Sequence, residues 1–151
     1  MMNKIIVAGC PGSGKSTFAS LLSKITDISV YTSDDKDFKW ESVRDDRWII
    51  EGVDLSIMEK CIKDCDCIYF MDIPYKTCFD NIRLKTSSLS ASAVEEVKEY
   101  INDFAYRGRK EMLKLMMLYP EKEMHIFMNY QESNNYIDRI KKDRDVQLRL
   151  A

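Results

Sequence analysis

Lys4-Ile5-Ile6-Val7-Ala8-Gly9-Cys10-Pro11-Gly12-Ser13-Gly14-Lys15-Ser16-Thr17-Phe18 is the stretch that decides the architecture. Its first five residues are apolar or β-branched after the lysine and stop at a glycine, the pattern of a short strand buried on both faces. Residues 9–16 then carry glycine, four intervening residues, glycine, lysine and serine. Each element of that spacing has a physical task. Glycines let backbone N–H groups converge on phosphate oxygens, and a helix opening near Lys15 aims its positive end at them. Lys15 neutralises β/γ-phosphate charge, and Ser16 supplies a hydroxyl ligand for Mg²⁺. From Ser16 to Ile25, Phe18, Leu21, Leu22 and Ile25 recur at helical spacing and form one apolar stripe.

Further along the chain, strand-like runs recur at Ser29 to Thr32, Trp48 to Glu51, Cys67 to Ile73 and Met124 to Met128. Helical patterns separate them at Leu55 to Lys63, Lys76 to Lys85, Ala93 to Leu118 and beyond Glu132. Strands alternating with helices imply βαβ units, so the expectation is an α/β fold with a parallel sheet of about five strands covered on both faces. Ser33 to Asp46 and Thr86 to Ser92 lack periodicity and read as loops over a site, and Lys141 to Arg149 reads as a solvated helix end.

The 151 residues suit one domain, residues 1–151, with a core of its own. A formal charge of −2 supplies no overall positive field, so nonspecific binding to duplex DNA is disfavoured. No run approaches the roughly 18 apolar residues of a membrane span, and the N-terminal run lacks a secretory cleavage site. The expected location is cytoplasmic, and the protein is expected to act as a monomer or homodimer. Five cysteines without an export signal suggest free thiols. Cys61, Cys65 and Cys67 invite a zinc reading, but the only histidine, His125, lies far along the chain, and buried small hydrophobes are the simpler expectation.

Two patterns narrow the chemistry of the phosphate loop. No aspartate stands three positions before any glycine, and the one Asn-Lys pair is not followed by the required aspartate, which excludes the usual GTPase signatures. The Leu-Ser-Gly-Gly-Gln sequence of transporter ATPases is missing as well. A compact kinase remains, and other residues fit it. Trp48-Ile49-Ile50-Glu51-Gly52 is an apolar strand ending in a carboxylate at the edge where ligands of open α/β sheets gather, so Glu51 is a candidate for holding a magnesium-bound water. Asp34 and Asp35 follow the next strand, and either carboxylate could take the proton of an acceptor hydroxyl. Arg107 and Arg109, or Arg83 and Lys85 from the other side, could bring positive charge to the transferring phosphate.

Together, residues 9–17, Asp34, Arg47 to Gly52, Met71-Asp72-Ile73-Pro74 and Tyr106-Arg107-Gly108-Arg109 resemble the adenylate-kinase-related DNA topology modulation (FlaR-type) proteins of the P-loop kinase superfamily. The likeness runs from Lys4 to about Ile140. It implies a P-loop NTPase three-layer sandwich resembling nucleoside monophosphate kinases, with strand order 2-3-1-4-5. It also implies Mg-ATP held by Gly9, Cys10, Pro11, Gly12, Ser13, Gly14, Lys15, Ser16 and Thr17, with Ser16 serving the metal and Lys15, Asp34, Arg107 and Arg109 serving catalysis; the charge and strand-end readings above add Arg83 to the nucleotide site and Glu51 to the metal site. The loop with Ser33-Asp34-Asp35 is also similar to polynucleotide kinases, in which the first aspartate of the pair is the base. Where FlaR-type proteins have an aspartate before the glycine this chain has Glu51, Tyr75 replaces their arginine after Asp-x-Pro, and the segment Asp35 to Asp46 is shorter than theirs. The expected activity is γ-phosphoryl transfer from Mg-ATP to an unidentified nucleoside, nucleotide or other hydroxyl or phosphate acceptor. The rival expectation is an ATP-binding regulator or slow ATPase acting on DNA or a protein partner.

Overall fold

The computed structural model describes residues 2–85 and 88–150. Five parallel strands, β1 (Lys4–Gly9), β2 (Val30–Thr32), β3 (Trp48–Gly52), β4 (Cys67–Met71) and β5 (Glu123–Phe127), form one sheet in the order β2-β3-β1-β4-β5. The fold is α/β, with the expected strand order and β1 at the centre.

Period-two alternation divides the core between the two faces of this sheet. Ile5, Val7, Ile49, Tyr69 and Met71 face one side, against Phe18, Ala19 and Leu22 of α1 (Lys15–Thr26) and Tyr136 and Ile137 of α6 (Tyr130–Leu150). Ile6, Ala8, Trp48, Ile50, Ile68 and Phe70 face the other, against Met58 and Cys61 of α2 (Leu55–Cys61) and Met112 and Met116 of α5 (Arg109–Met117). Ile5, Ile6 and Val7 are fully buried on consecutive positions, which is why the run is apolar without a break. Each such side chain contributes about 1.5–3 kcal/mol relative to exposure. From Lys141 onward α6 is largely exposed, its charged residues interspersed with exposed Val146, Leu148 and Leu150.

Two differences from the sequence expectations bear on the site. Residues 33–46 contain a short 3₁₀ turn (Trp40–Ser42), and Phe38, Trp40 and Val43 pack onto the second core, with the Trp40 ring edge-on to Trp48 at 5.2 Å. This segment is therefore anchored by its aromatic residues, with Tyr31 also hydrogen-bonded to Asp45. The long helical pattern from Ala93 is likewise not uniform. It comprises α4 (Ala91–Asp103), a π-helical turn (Phe104–Gly108) and α5, with the chain helical throughout. Gly108 sits against the Phe104 ring, and a Cβ there would fall 2.7 Å from Cδ2, so this glycine serves close packing within the π turn. Before α4 lies α3 (Tyr75–Lys85), and of the intervening small-residue stretch Thr86 and Ser87 lie outside the described residues. No helix among the described residues is long and apolar enough to cross a membrane.

Candidate functional site

At the carboxyl end of β1 the chain turns sharply before entering α1. Gly12 (φ 81°) and Gly14 (φ 85°) are both left-handed, a region costly for residues with a Cβ. Ser13 N–H donates to the Cys10 carbonyl (3.0 Å), and the first helical bond runs from Phe18 N–H to the Gly14 carbonyl (3.0 Å). Gly14 is the N-cap and offers no side-chain acceptor, so no side-chain cap closes the first turn of α1 among the described residues. The N–H donors of that turn and the helix dipole converge on one point, the arrangement that suits an oxyanion.

Charged and hydroxyl groups surround that point. Lys15 is only 8% exposed and has no carboxylate partner among the described residues. A lysine so enclosed without an anion suits a negatively charged ligand. Glu51, at the penultimate position of β3, is 3% exposed. Its Oε1 accepts from Ser16 Oγ (3.2 Å) and Thr32 Oγ1 (3.0 Å), whereas its Oε2 is buried without a hydrogen-bond partner among the described residues. β1 and β3 are adjacent strands, with Ala8 paired to Gly52, so the sheet itself brings Glu51 beside the helix start. A buried carboxylate oxygen left unpaired next to a serine hydroxyl fits the outer coordination sphere of a hard cation such as Mg²⁺. Ser13 Oγ is buried and unpartnered in the same turn.

Asp34 stands one turn beyond β2. Its Oδ1 accepts from Val53 N–H (3.0 Å), which ties it to the residue after Glu51-Gly52. Asp35 Oδ1 instead caps its own turn by accepting from Asp37 N–H (3.0 Å). The pair that the sequence left open thus has unequal surroundings, with Asp34 at the sheet edge and Asp35 closing a local turn.

Arg107 and Arg109 are committed to carboxylates. Arg109 binds Asp72 through two bonds, Nε to Oδ1 (2.7 Å) and Nη2 to Oδ2 (2.9 Å), and this hydrogen bonding is the main cause of its raised pKa. Arg107 pairs with Asp103 one helical turn earlier at 2.9 Å, both side chains being largely exposed. Arg83 is exposed on α3 and does not line the cleft beside the turn. From that helix Asn81, Leu84 and Lys85 do so, together with Gly12, Gly14, Lys15 and Thr17. This cleft holds about 380 Å³.

Sequence reasoning missed three further residues. Asn81 Nδ2 donates to the Gly12 carbonyl (3.0 Å) and to Tyr130 Oη (2.9 Å), pinning the turn from outside. Tyr130, the first residue of α6, lies against Gly14, where an added Cβ would be 3.2 Å from its ring. Thr32 completes the hydroxyl pair on Glu51. None belongs to a local pattern. Only Thr32 carried a signal, as a hydroxyl residue at the end of the strand beside Trp48 to Glu51.

All five cysteines are buried free thiols, and burial pushes Cys61 up to about 12 and Cys65 up to about 11. Among the described residues, Cys61, Cys65 and Cys67 do not form the ligand group that their spacing suggests. Cys67 approaches Glu123 and His125 instead, with ligand atoms within 4.8 Å, because Cys67 and Glu123 are paired at the first positions of β4 and β5, opposite the glycine-rich turn. A scan against protein-family models found no match to this chain, and a search of curated proteins found none either.

Proposed function

We propose that this protein is a P-loop kinase that transfers the γ-phosphoryl group of Mg-ATP to an acceptor hydroxyl or phosphate. The observation that carries this reading is the grouping of Lys15, Ser16 and Glu51 at the mouth of the glycine turn, in which the exposed Ser16 hydroxyl bonds Glu51 Oε1 while, among the described residues, the buried Lys15 lacks an anion and the buried Glu51 Oε2 lacks a donor. A glycine-rich turn alone would explain neither. A triphosphate with its cation satisfies both.

Each residue then has a role in keeping with its surroundings. The uncapped first-turn N–H groups of α1 bind phosphate oxygens, and Lys15 balances charge that moves to the β/γ-bridging oxygen as transfer proceeds. Ser16 Oγ and, through water, Glu51 would hold Mg²⁺, which supplies charge neutralisation across the β- and γ-phosphates when bound. The base and ribose occupy the cleft between α3 and the start of α6, beside Tyr130. Asp34, facing away from its own turn toward Val53, takes the acceptor proton. Arg109, held by Asp72, can reach a phosphate only by leaving that carboxylate, so it belongs to a closed state reached when substrate binds.

The test is acceptor-dependent release of ADP in a screen of nucleosides, nucleotides, sugars and DNA ends, with calorimetry of ATP in Mg²⁺ and in EDTA beside it. A phosphotransferase binds ATP more tightly with the metal and releases ADP faster when its acceptor is added. A nucleotide-binding regulator gives metal-dependent binding and no acceptor-dependent release.

A further inference from the structure

Beyond Asp34 the same edge of the sheet opens into a second hollow, lined by Val53, Leu55, Tyr100, Asp103, Arg107 and Glu111. Asp34 stands at its lip, since Val53 in the wall donates its N–H to Asp34 Oδ1. The Tyr100 hydroxyl has its pKa raised, first by burial and then by the negative charge of Asp34 and Asp54, with Asp103 adding to it. Carboxylates from three separate elements therefore act on one point.

Positive charge near this hollow is already used. Arg107 is bonded to Asp103, and Arg109, in the neighbouring hollow with Asp72 and Phe104, is held by two bonds to Asp72. A phosphomonoester brings about −1.5 to −2 charge, and its recognition calls for unpaired guanidinium or ammonium groups. Here the Asp103–Arg107 pair is neutral, so a phosphomonoester would meet the net negative charge of Glu111 in the wall and of Asp34 at the lip, with no unpaired guanidinium among the described lining residues. Like-charge contact of this kind is a means of rejecting the wrong partner. An uncharged acceptor meets no such penalty. Tyr100 and Phe104 offer ring surface.

We infer that the acceptor is an uncharged, ring-bearing hydroxyl compound of the nucleoside class, and that phosphomonoesters are excluded from the acceptor side. This rests on the phosphotransferase reading above. In the step itself the acceptor oxygen forms a bond to the γ-phosphorus, and the bond from that phosphorus to the β/γ-bridging oxygen breaks. The electron pair leaves on ADP, and the acceptor proton passes to Asp34.

Matched pairs test this directly. Adenosine, guanosine, cytidine, uridine and thymidine are each compared with their own 5′-monophosphate as acceptor, at fixed Mg-ATP, by ADP release. At least one nucleoside is expected to give kcat/KM about tenfold or more above that of its monophosphate, a discrimination of ~1.4 kcal/mol. Asp103→Asn combined with Glu111→Gln is expected to narrow the gap by raising kcat/KM for the monophosphate several-fold. Monophosphates used as well as or better than nucleosides would overturn the inference and leave the kinase reading standing. If none of these compounds raises ADP release above the acceptor-free rate, the inference is overturned, and the kinase reading falls with it only if the sugars and DNA ends of the wider screen are also inert.

Discussion

Replacing Glu51 with glutamine separates a carboxylate kept for a cation from one kept for the fold. Glu51 is 3% exposed, and only its Oε1 is hydrogen-bonded, to Ser16 and Thr32. Leaving a buried polar atom such as Oε2 unpaired costs about 1–3 kcal/mol. Glutamine keeps the volume and the Oε1 contacts while removing the charge. Without ligand, Glu51→Gln should therefore melt at the wild-type temperature or higher, where each 1 kcal/mol gained raises Tm by about 2–4 °C. With Mg-ATP the sign reverses. Loss of a hydrogen bond to a charged group costs about 1.5–3 kcal/mol, equivalent to roughly 10- to 150-fold weaker ATP binding in Mg²⁺. Affinity in EDTA should be unchanged. Thermal melts with and without Mg-ATP, together with calorimetry in both buffers, read all of these quantities. A variant that melts several degrees lower yet binds Mg-ATP normally would show that Glu51 is a structural residue and refute the cation argument.

Lys15→Ala should leave a folded protein, since the lysine has no carboxylate partner to lose, but should reduce phosphoryl transfer to near background; wild-type turnover in that variant would remove the loop from the site. Asp34→Asn should keep ATP affinity within a few-fold while lowering transfer by about 10²-fold or more, and Asp35→Asn should be milder because Asp35 closes its own turn; equal effects would undo that distinction. Gly12→Ala should destabilise the fold by at least about 1–2 kcal/mol through its left-handed φ alone, and more because the new Cβ would lie 2.2 Å from the Cys78 carbonyl; an unchanged Tm would contradict the geometry of the turn. Arg109→Ala should lower kcat more than ATP affinity and also cost stability, as it strands an Asp72 that is 13% exposed, whereas Arg107→Ala should leave stability within about 1 kcal/mol because its ion pair is exposed. Normal kcat in both variants would make these arginines surface residues.

Much of the fold was legible because its signals are local. The unbroken apolar run Lys4 to Ala8, glycines at two left-handed positions and the stripe of Phe18, Leu22 and Ile25 each follow from a few adjacent residues. Strand edges were placed within a residue or two, with β4 ending at Met71, two residues before the run to Ile73 does, and a last ladder bond from Asp72 N–H to the Phe127 carbonyl. What escaped depends on tertiary contact. The π turn at Phe104–Gly108 leaves the helical period almost intact, and the packing of Gly108 on the Phe104 ring shows only once the helix is built. Asn81 and Tyr130 reach the glycine turn from 69 and 49 positions apart, respectively to Gly12 and to each other. The arginines were visible as charge, but their neutralisation by Asp72 and Asp103 was not.

Following a label in the γ-phosphoryl of ATP is the most direct measurement of what this protein does. The wild-type protein with Mg-ATP and a panel of hydroxyl acceptors should move the label onto one of them, with stoichiometric ADP, and Asp34→Asn should slow that transfer without displacing ATP. Label found only in inorganic phosphate, at a rate indifferent to every acceptor and to Asp34→Asn, would contradict phosphoryl transfer and leave a nucleotide-binding protein that at most hydrolyses ATP.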